Sequence, residues 1–372
     1  MKLNIKNDLM NYKTYLILLL FLTAPAYTIK MFDVHLAWFF SKNTKIIKQD
    51  KFYSNRIKSL PKSYTTIPDK IIFLNNFGKI IKTLIRNKNI IITGFPEDKG
   101  IIIYTSTGGD IKYINGSGIK EWEYKTYAYP FVINEDLILL VTGENAGFKI
   151  IDRNKNELSE FKATGSIALS FDADKKNHIA IGFSNGTLCL YNSSLTLLWS
   201  KNFIFGSIYP IIKKVSLSAQ GNYIAVLSGL KDEYIYILNS KGEKIFEYKT
   251  GENRRRSIDL KFSKNEKYLL EESDTGFRLY SVTDKKLLLS KKLFNKKSNR
   301  QLISMDISKN GKFILIAYKF NKESTIIDLY NTEGVLLYRE FMKYGSLPFI
   351  KFSSSDNSFI IETTEGFYVY EI

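Results

Sequence analysis

Ile307-Ser308-Lys309-Asn310-Gly311, followed by the apolar run Phe313–Ala317, is one copy of a unit that recurs along the chain. Aligning the segments that end in Phe171, Leu217, Phe262, Ile307 and Phe352 gives intervals of 46, 45, 45 and 45 residues. The turn after each anchor recurs as Ser218-Ala-Gln-Gly221, Ser263-Lys-Asn-Glu266, Ser308-Lys-Asn-Gly311 and Ser353-Ser-Ser-Asp356. Apolar strands follow at Tyr223–Leu227, Tyr268–Leu270, Phe313–Ala317 and Phe359–Ile361, then third strands at Tyr234–Leu238, Phe277–Tyr280, Ile326–Tyr330 and Phe367–Tyr370. Asn115–Gly118, Asn239–Gly242, Asn331–Gly334 and Asn75–Gly78 all read N-x-x-G. Asn caps a tight turn with its side chain, and Gly tolerates the exit.

Four short strands per unit of this length is the period of a propeller blade. The expected fold is all-β: about seven four-stranded antiparallel blades, preceded by an N-terminal hydrophobic helix. Blades are expected near 88–125, 129–163, 165–202, 211–250, 256–293, 301–342 and 346–372. The last has three strands, so residues 79–85 are expected to supply its outer strand and close the ring. Ile71–Leu74 also reads as a third strand, which leaves an eighth blade open.

The pattern resembles the WD-repeat-like and quinoprotein-like propellers. Ile307–Leu315 resembles the first-to-second strand turn of the former. Gly182-Phe-Ser-Asn-Gly-Thr-Leu-Cys-Leu-Tyr191 with Trp199, and Gly109-Asp-Ile-Lys-Tyr113 with Trp122, resemble repeats of the latter. The resemblance spans roughly residues 70–372. It implies a platform for other proteins more often than a cofactor enzyme, and fold alone does not decide between them.

The N-terminus has its own pattern. Lys2, Lys6 and Lys13 precede the apolar run Tyr15–Thr23, and Ala24-Pro25-Ala26 offers small residues at signal-peptidase spacing. Residues 1–40 are therefore expected to be a signal or membrane anchor, 41–70 a Lys- and Ser-rich linker, and 71–372 the propeller. An uncleaved anchor would hold the ring on the periplasmic side of an inner membrane; cleavage after Ala26 would release it there. Net charge is +17, which favours anionic partners; export argues against nucleic acid.

The single cysteine, Cys189, can form no internal disulfide and reads as a strand residue. His35 lies in the targeting region and His178 opens a second strand, so no catalytic triad is arguable. No metal-ligand cluster and no phosphate loop appears, and Asp172-Ala-Asp174 reads as an ordinary turn. The expectation is a non-enzyme without cofactor or metal.

Binding residues are sought on the loops that join each fourth strand to the next first strand. Loops 86–88, 250–256, 293–301 and 342–346 carry Arg86, Lys88, Arg254, Arg255, Arg256, Lys296, Lys297, Arg300 and Lys343 against one acid, Glu252. Guanidinium forks suit carboxylates and phosphates, so these residues are expected to form a basic arc. Neighbouring loops are aromatic, with Tyr127 and Tyr129, then Phe203, Phe205 and Tyr209. Together they resemble a protein-binding surface. The expected partner is a protein of the cell envelope, with the membrane engaged through the N-terminal segment; an anionic polymer or lipid is the alternative.

Overall fold

The computed structural model describes residues 47–49, 64–67, 70–74 and 80–85, and the chain from 89 onward except 96–99, 106–108, 135, 143, 164–165, 204–208, 255, 257, 296–300, 322–323, 344–348, 353–357 and 364–365. The expected N-terminal helix lies outside these residues. Among the described residues there is no helix, and so none long and apolar enough to cross a membrane.

The described strands form eight antiparallel sheets. The chain enters through β1 (Ile47–Gln49). Blade I is β2 (Tyr64–Ile67), β3 (Lys70–Leu74) and β4 (Ile80–Ile85). Blade II is β5 (Ile90–Gly94), β6 (Gly100–Thr105), β7 (Gly109–Asn115) and β8 (Lys120–Thr126). Blade III is β9 (Tyr129–Val132), β10 (Leu137–Val141), β11 (Gly147–Asp152) and β12 (Glu157–Lys162). Blade IV is β13 (Ala168–Ala173), β14 (Ile179–Phe183), β15 (Thr187–Tyr191) and β16 (Leu197–Asn202). Blade V is β17 (Ile212–Leu217), β18 (Tyr223–Ser228), β19 (Tyr234–Asn239) and β20 (Lys244–Lys249). Blade VI is β21 (Leu260–Phe262), β22 (Tyr268–Ser273), β23 (Gly276–Ser281) and β24 (Lys286–Lys292). Blade VII is β25 (Leu302–Ile307), β26 (Phe313–Lys319), β27 (Ser324–Asn331) and β28 (Leu336–Lys343). Blade VIII is β29 (Phe349–Phe352), β30 (Ser358–Thr363) and β31 (Gly366–Glu371), completed by β1.

The blade number, left open between about seven and eight, is eight among the described strands. One expectation is corrected: the last sheet is completed by β1, paired Ile47↔Glu371 and Lys48↔Tyr370, not by residues 79–85. Those residues form β4, which pairs with β3 as Lys70↔Ile85. The strand after an N-x-x-G turn reaches its own predecessor through a short loop, and this local hairpin outcompetes pairing with the far end of the chain. The stretch 41–70, expected as a linker, contributes β1 and β2 to the ring.

The core lies between blades. The middle strands are buried on both faces and read as near-continuous apolar runs such as Ile179–Phe183 and Tyr223–Leu227. Ile71 and Phe73 of blade I pack on Ile101, Ile103 and Ile114 of blade II; Ala225 and Ile237 of blade V join Ile258 and Leu260, which lead into blade VI. Truncating such a residue to Ala costs about 2–5 kcal/mol.

The N-x-x-G turns do more than reverse the chain. Asn115, Asn239 and Asn331 each accept with Oδ1 from the N–H four residues on. The glycines take φ of 78°, 76° and 80°, a conformation glycine adopts without strain. Each also lies against a residue on the fourth strand of the preceding blade: Gly118 on Lys82, Gly242 on Trp199, Gly334 on Leu289. The turn therefore fixes both the hairpin and the spacing between blades. A β-bulge marks each of these hairpins, and the β15–β16 hairpin, whose turn ends in Leu195 instead of Gly, carries another at Leu190/Tyr191 opposite Trp199 and Leu197, which leaves Leu198 out of the ladder.

Candidate functional site

The fourth-to-first and second-to-third loops share one end of the strands, called here the upper face. First-to-second and third-to-fourth turns share the other, the lower face. The aromatic residues divide on the upper face. Tyr127, between β8 and β9, is 81% exposed, and Tyr209, between β16 and β17, is 48% exposed. The Lys231 ammonium stands 5.8 Å from the centre of the Tyr209 ring, a cation–π distance. Tyr129 opens β9, half-buried and edge-on to Tyr104 at 6.4 Å. Phe203 corrects the expectation: it is buried, with its ring 5.1 Å from that of Tyr236, in the core shared by Ala180, Leu188 and Ile212. It plugs the seam between blades IV and V and presents no surface.

The basic arc is corrected at its sharpest point. Arg254 is 3% exposed. Its Nε donates to Glu233 Oε1 at 2.8 Å, its Nη2 to Glu233 and to Glu271 Oε1 (2.6 Å), and its Nη1 to the Glu272 carbonyl. Nη1 also lies 3.0 Å from Glu252 Oε2. Arg278, from β23, donates to Glu271 at 3.1 and 3.2 Å and to Glu252 Oε1 at 2.6 Å. Lys213 donates to Glu233 Oε2 at 2.7 Å, and the Tyr280 hydroxyl to Glu271 Oε2 at 2.5 Å. Three cations thus face three carboxylates. A buried guanidinium must find such partners, because an uncompensated charge there is prohibitive.

The electrostatics follow from this closure. Burial alone would lower the Arg254 guanidinium, but Glu271 and Glu233 outweigh it and hold it above its ordinary value. Burial lifts the Glu252 carboxyl against the pull of Arg254 and Arg278. Burial and then Glu271 push the Tyr280 phenol up. Glu233, Glu252 and Glu271 bring carboxylate oxygens within 4.8 Å of one another, close enough for a metal ion, yet two guanidiniums and an ammonium already hold that place. The cluster is an ionic staple between blades V and VI, with its polar atoms engaged by each other.

Arg256 remains at the surface, with its guanidinium bonded to Glu272. Lys343 closes β28 opposite Ser324. Arg255, Lys296, Lys297, Arg300 and Phe205 lie outside the described residues. Of the expected arc's described members, Arg254 turns inward and Arg256 stays at the surface on Glu272. Sequence reading missed Glu233, Glu271 and Arg278. The available signal was the pair Glu271-Glu272 directly after the apolar stretch Tyr268–Leu270, within the strand Tyr268–Ser273.

On the lower face, Asp174 occupies the turn position held by Ser218, Ser263 and Ser308 in the following blades. Its Oδ1 accepts from the N–H groups of Lys176 and His178 at 2.8 and 2.9 Å, and its Oδ2 pairs with His178 Nδ1 at 2.7 Å. Asp172 faces elsewhere, accepting from Leu217 N–H of the next blade at 2.8 Å. The two carboxylates serve different partners, as an ordinary turn does.

Comparison with solved structures shows the same architecture at low identity. BamB from Moraxella catarrhalis matches at TM-score 0.59 and 12% identity, over 88% of this chain and 99% of that one. The C-terminal WD40 domain of Sif2 matches at TM-score 0.61 and 13% identity, over 88% and 97%. The computationally designed Ika8 protein matches at TM-score 0.62 and 12% identity, over 85% and 97%. At such identities the likeness speaks for the fold alone. No curated protein matches the chain in sequence. A family model described as beta-propeller protein matches residues 1–341, and with an eight-bladed ring beneath that match the chain belongs to this beta-propeller family.

Proposed function

We propose that the ring is a non-catalytic platform, tethered to a membrane through residues 1–40, that holds a protein partner of the cell envelope on its upper face. The observation that carries this reading is the exposure of Tyr127 and Tyr209 on that face, beside an ionic cluster closed on itself. Exposed Tyr is a favoured hot-spot residue, because it adds amphipathic contact area at little entropic cost. A platform role also agrees with the fold shared with the solved propellers named above. Tethering is supported by the uncharged run Thr14–Ile29 behind three lysines. The anionic-polymer reading leaned on the basic arc and loses its strongest residue with the inward turn of Arg254.

The test is a photo-crosslinking residue placed at 127 and, separately, at 209 in the full chain in cells, with position 285 on the lower face as control. Capture of one defined protein from either upper-face position, and not from 285, supports the platform. Absence of a defined product at both overturns it. Fractionation of the full chain against a chain lacking residues 1–40 tests the tether.

A further inference from the structure

The lower face carries a groove of about 450 Å³ between blades IV and V. It is lined by Lys176 and His178 before β14, Leu190 of β15, Leu198 and Trp199 of β16, and Lys241 of the β19–β20 turn, among others. That volume suits a short ligand segment. Its polar elements are fixed in advance. Asp174, itself buried, holds the His178 ring through Nδ1, leaving Nε2 as the remaining polar atom of that ring. Trp199 Nε1 donates to the Ser240 carbonyl at 2.9 Å, and Gly242 lies on the indole. The charge is one-sided: no carboxylate lines the groove, and neither the Lys176 nor the Lys241 ammonium has an acid partner among the described residues.

Strand β16 runs along this groove as the terminal strand of its sheet. Leu197 and Leu198 are both about half exposed, and Leu198 is the bulged residue without a partner on β15. On the outer strands β12, β20 and β28 charges pair within their own blade, as Lys149 with Glu157, Lys244 with Glu247 and Arg339 with Asp328. Leu197–Ser200 has no such charge to blunt the edge.

We infer that this groove binds an extended acidic peptide segment with alternating apolar side chains. The peptide's backbone would pair along β16, its apolar side chains would rest on Leu198, Leu190 and Trp199, and its carboxylates would meet Lys176 and Lys241. Strand addition gives affinity through the backbone and specificity through alternate side chains. The site lies at the opposite end of the strands from Tyr127 and Tyr209, so it goes beyond the upper-face reading, and either can fail alone.

The experiment is fluorescence anisotropy of a dye-labelled, amidated hexapeptide of alternating Asp and Leu, titrated with the full chain. Saturable binding is expected, weakened at least about tenfold by Lys176→Glu with Lys241→Glu, and weakened also by Leu198→Ser. Lys267→Glu with Lys312→Glu, on the same face outside the groove lining, should leave it unchanged, as should Tyr127→Ser with Tyr209→Ser. Thermal melts confirm that each variant is folded. Equal binding of a control hexapeptide of alternating Lys and Leu, or no effect of charge reversal at 176 and 241, overturns the inference. Displacement by inorganic phosphate as effective as by unlabelled peptide also overturns it, and makes the groove a simple anion site.

Discussion

Gly242 packs against the indole of Trp199 so closely that a Cβ on the glycine would stand 3.2 Å from three ring atoms. Gly242→Ala therefore meets two obstacles, a φ of 76° and a filled space. Gly251 has a similar φ of 71° with nothing within 4 Å. Gly251→Ala should cost about 1 kcal/mol from backbone strain alone, and Gly242→Ala about 1–3 kcal/mol more as blade V is pushed off blade IV. Urea unfolding of the two variants separates the contributions; equal losses would contradict the packing role.

Arg254→Met should be among the most damaging single changes, at about 3 kcal/mol, because it removes the guanidinium that buried Glu233 and Glu271 share and leaves each with one cation, Lys213 and Arg278. Urea denaturation of the variant and the parent chain reads this out.

Asp172 and Asp306 give a pH dependence of known sign. Burial raises both carboxyls, although the Leu217 N–H, for Asp172, and Lys261 and the Phe352 N–H, for Asp306, act against it. A raised folded value means that the folded state binds protons more tightly. The contribution is fully present below the unfolded value, about 3.9, and is lost as pH rises through the folded value. Asn keeps an acceptor for each N–H but does not titrate. The stability of Asp172→Asn with Asp306→Asn, relative to the parent chain, should therefore increase as pH rises from about 4 towards 7. A pH-independent difference would refute the assignment.

Ring closure depends on three residues. Lys48→Pro removes a backbone donor in β1 opposite Tyr370 and should leave β31 with a bare edge. Self-association is expected, seen by light scattering after size exclusion, with the circular dichroism of the remaining blades retained. A monodisperse, parent-like variant would show that β1 is dispensable.

Most of the ring was legible from its turns. Ser218, Ser308, Asn239 and Asn331 act through local hydrogen bonds, so short-range spacing encodes them. Closure was not legible, because Ile47–Gln49 is short and polar and its partner lies at the other end of the chain. Arg254 misled for the same reason: within an Arg triplet it looks like surface, while its partners Glu233 and Glu271 lie 21 and 17 residues away on other strands. Tyr127 and Tyr209 were legible only as loop residues: the same loop that exposes Tyr209 draws Phe203 into the seam between blades IV and V, and spacing does not separate the two outcomes.

The pairing of β1 with β31 also sets a timetable. β31 leaves the ribosome well after β1, 324 positions later from Ile47 to Glu371. At about 5–20 residues per second, that interval is on the order of 16–65 s. For that time an unmatched strand and a growing stack of blades must coexist, shielded from other chains. Only once β31 has emerged can the nascent arc become a sealed ring instead of an open spiral.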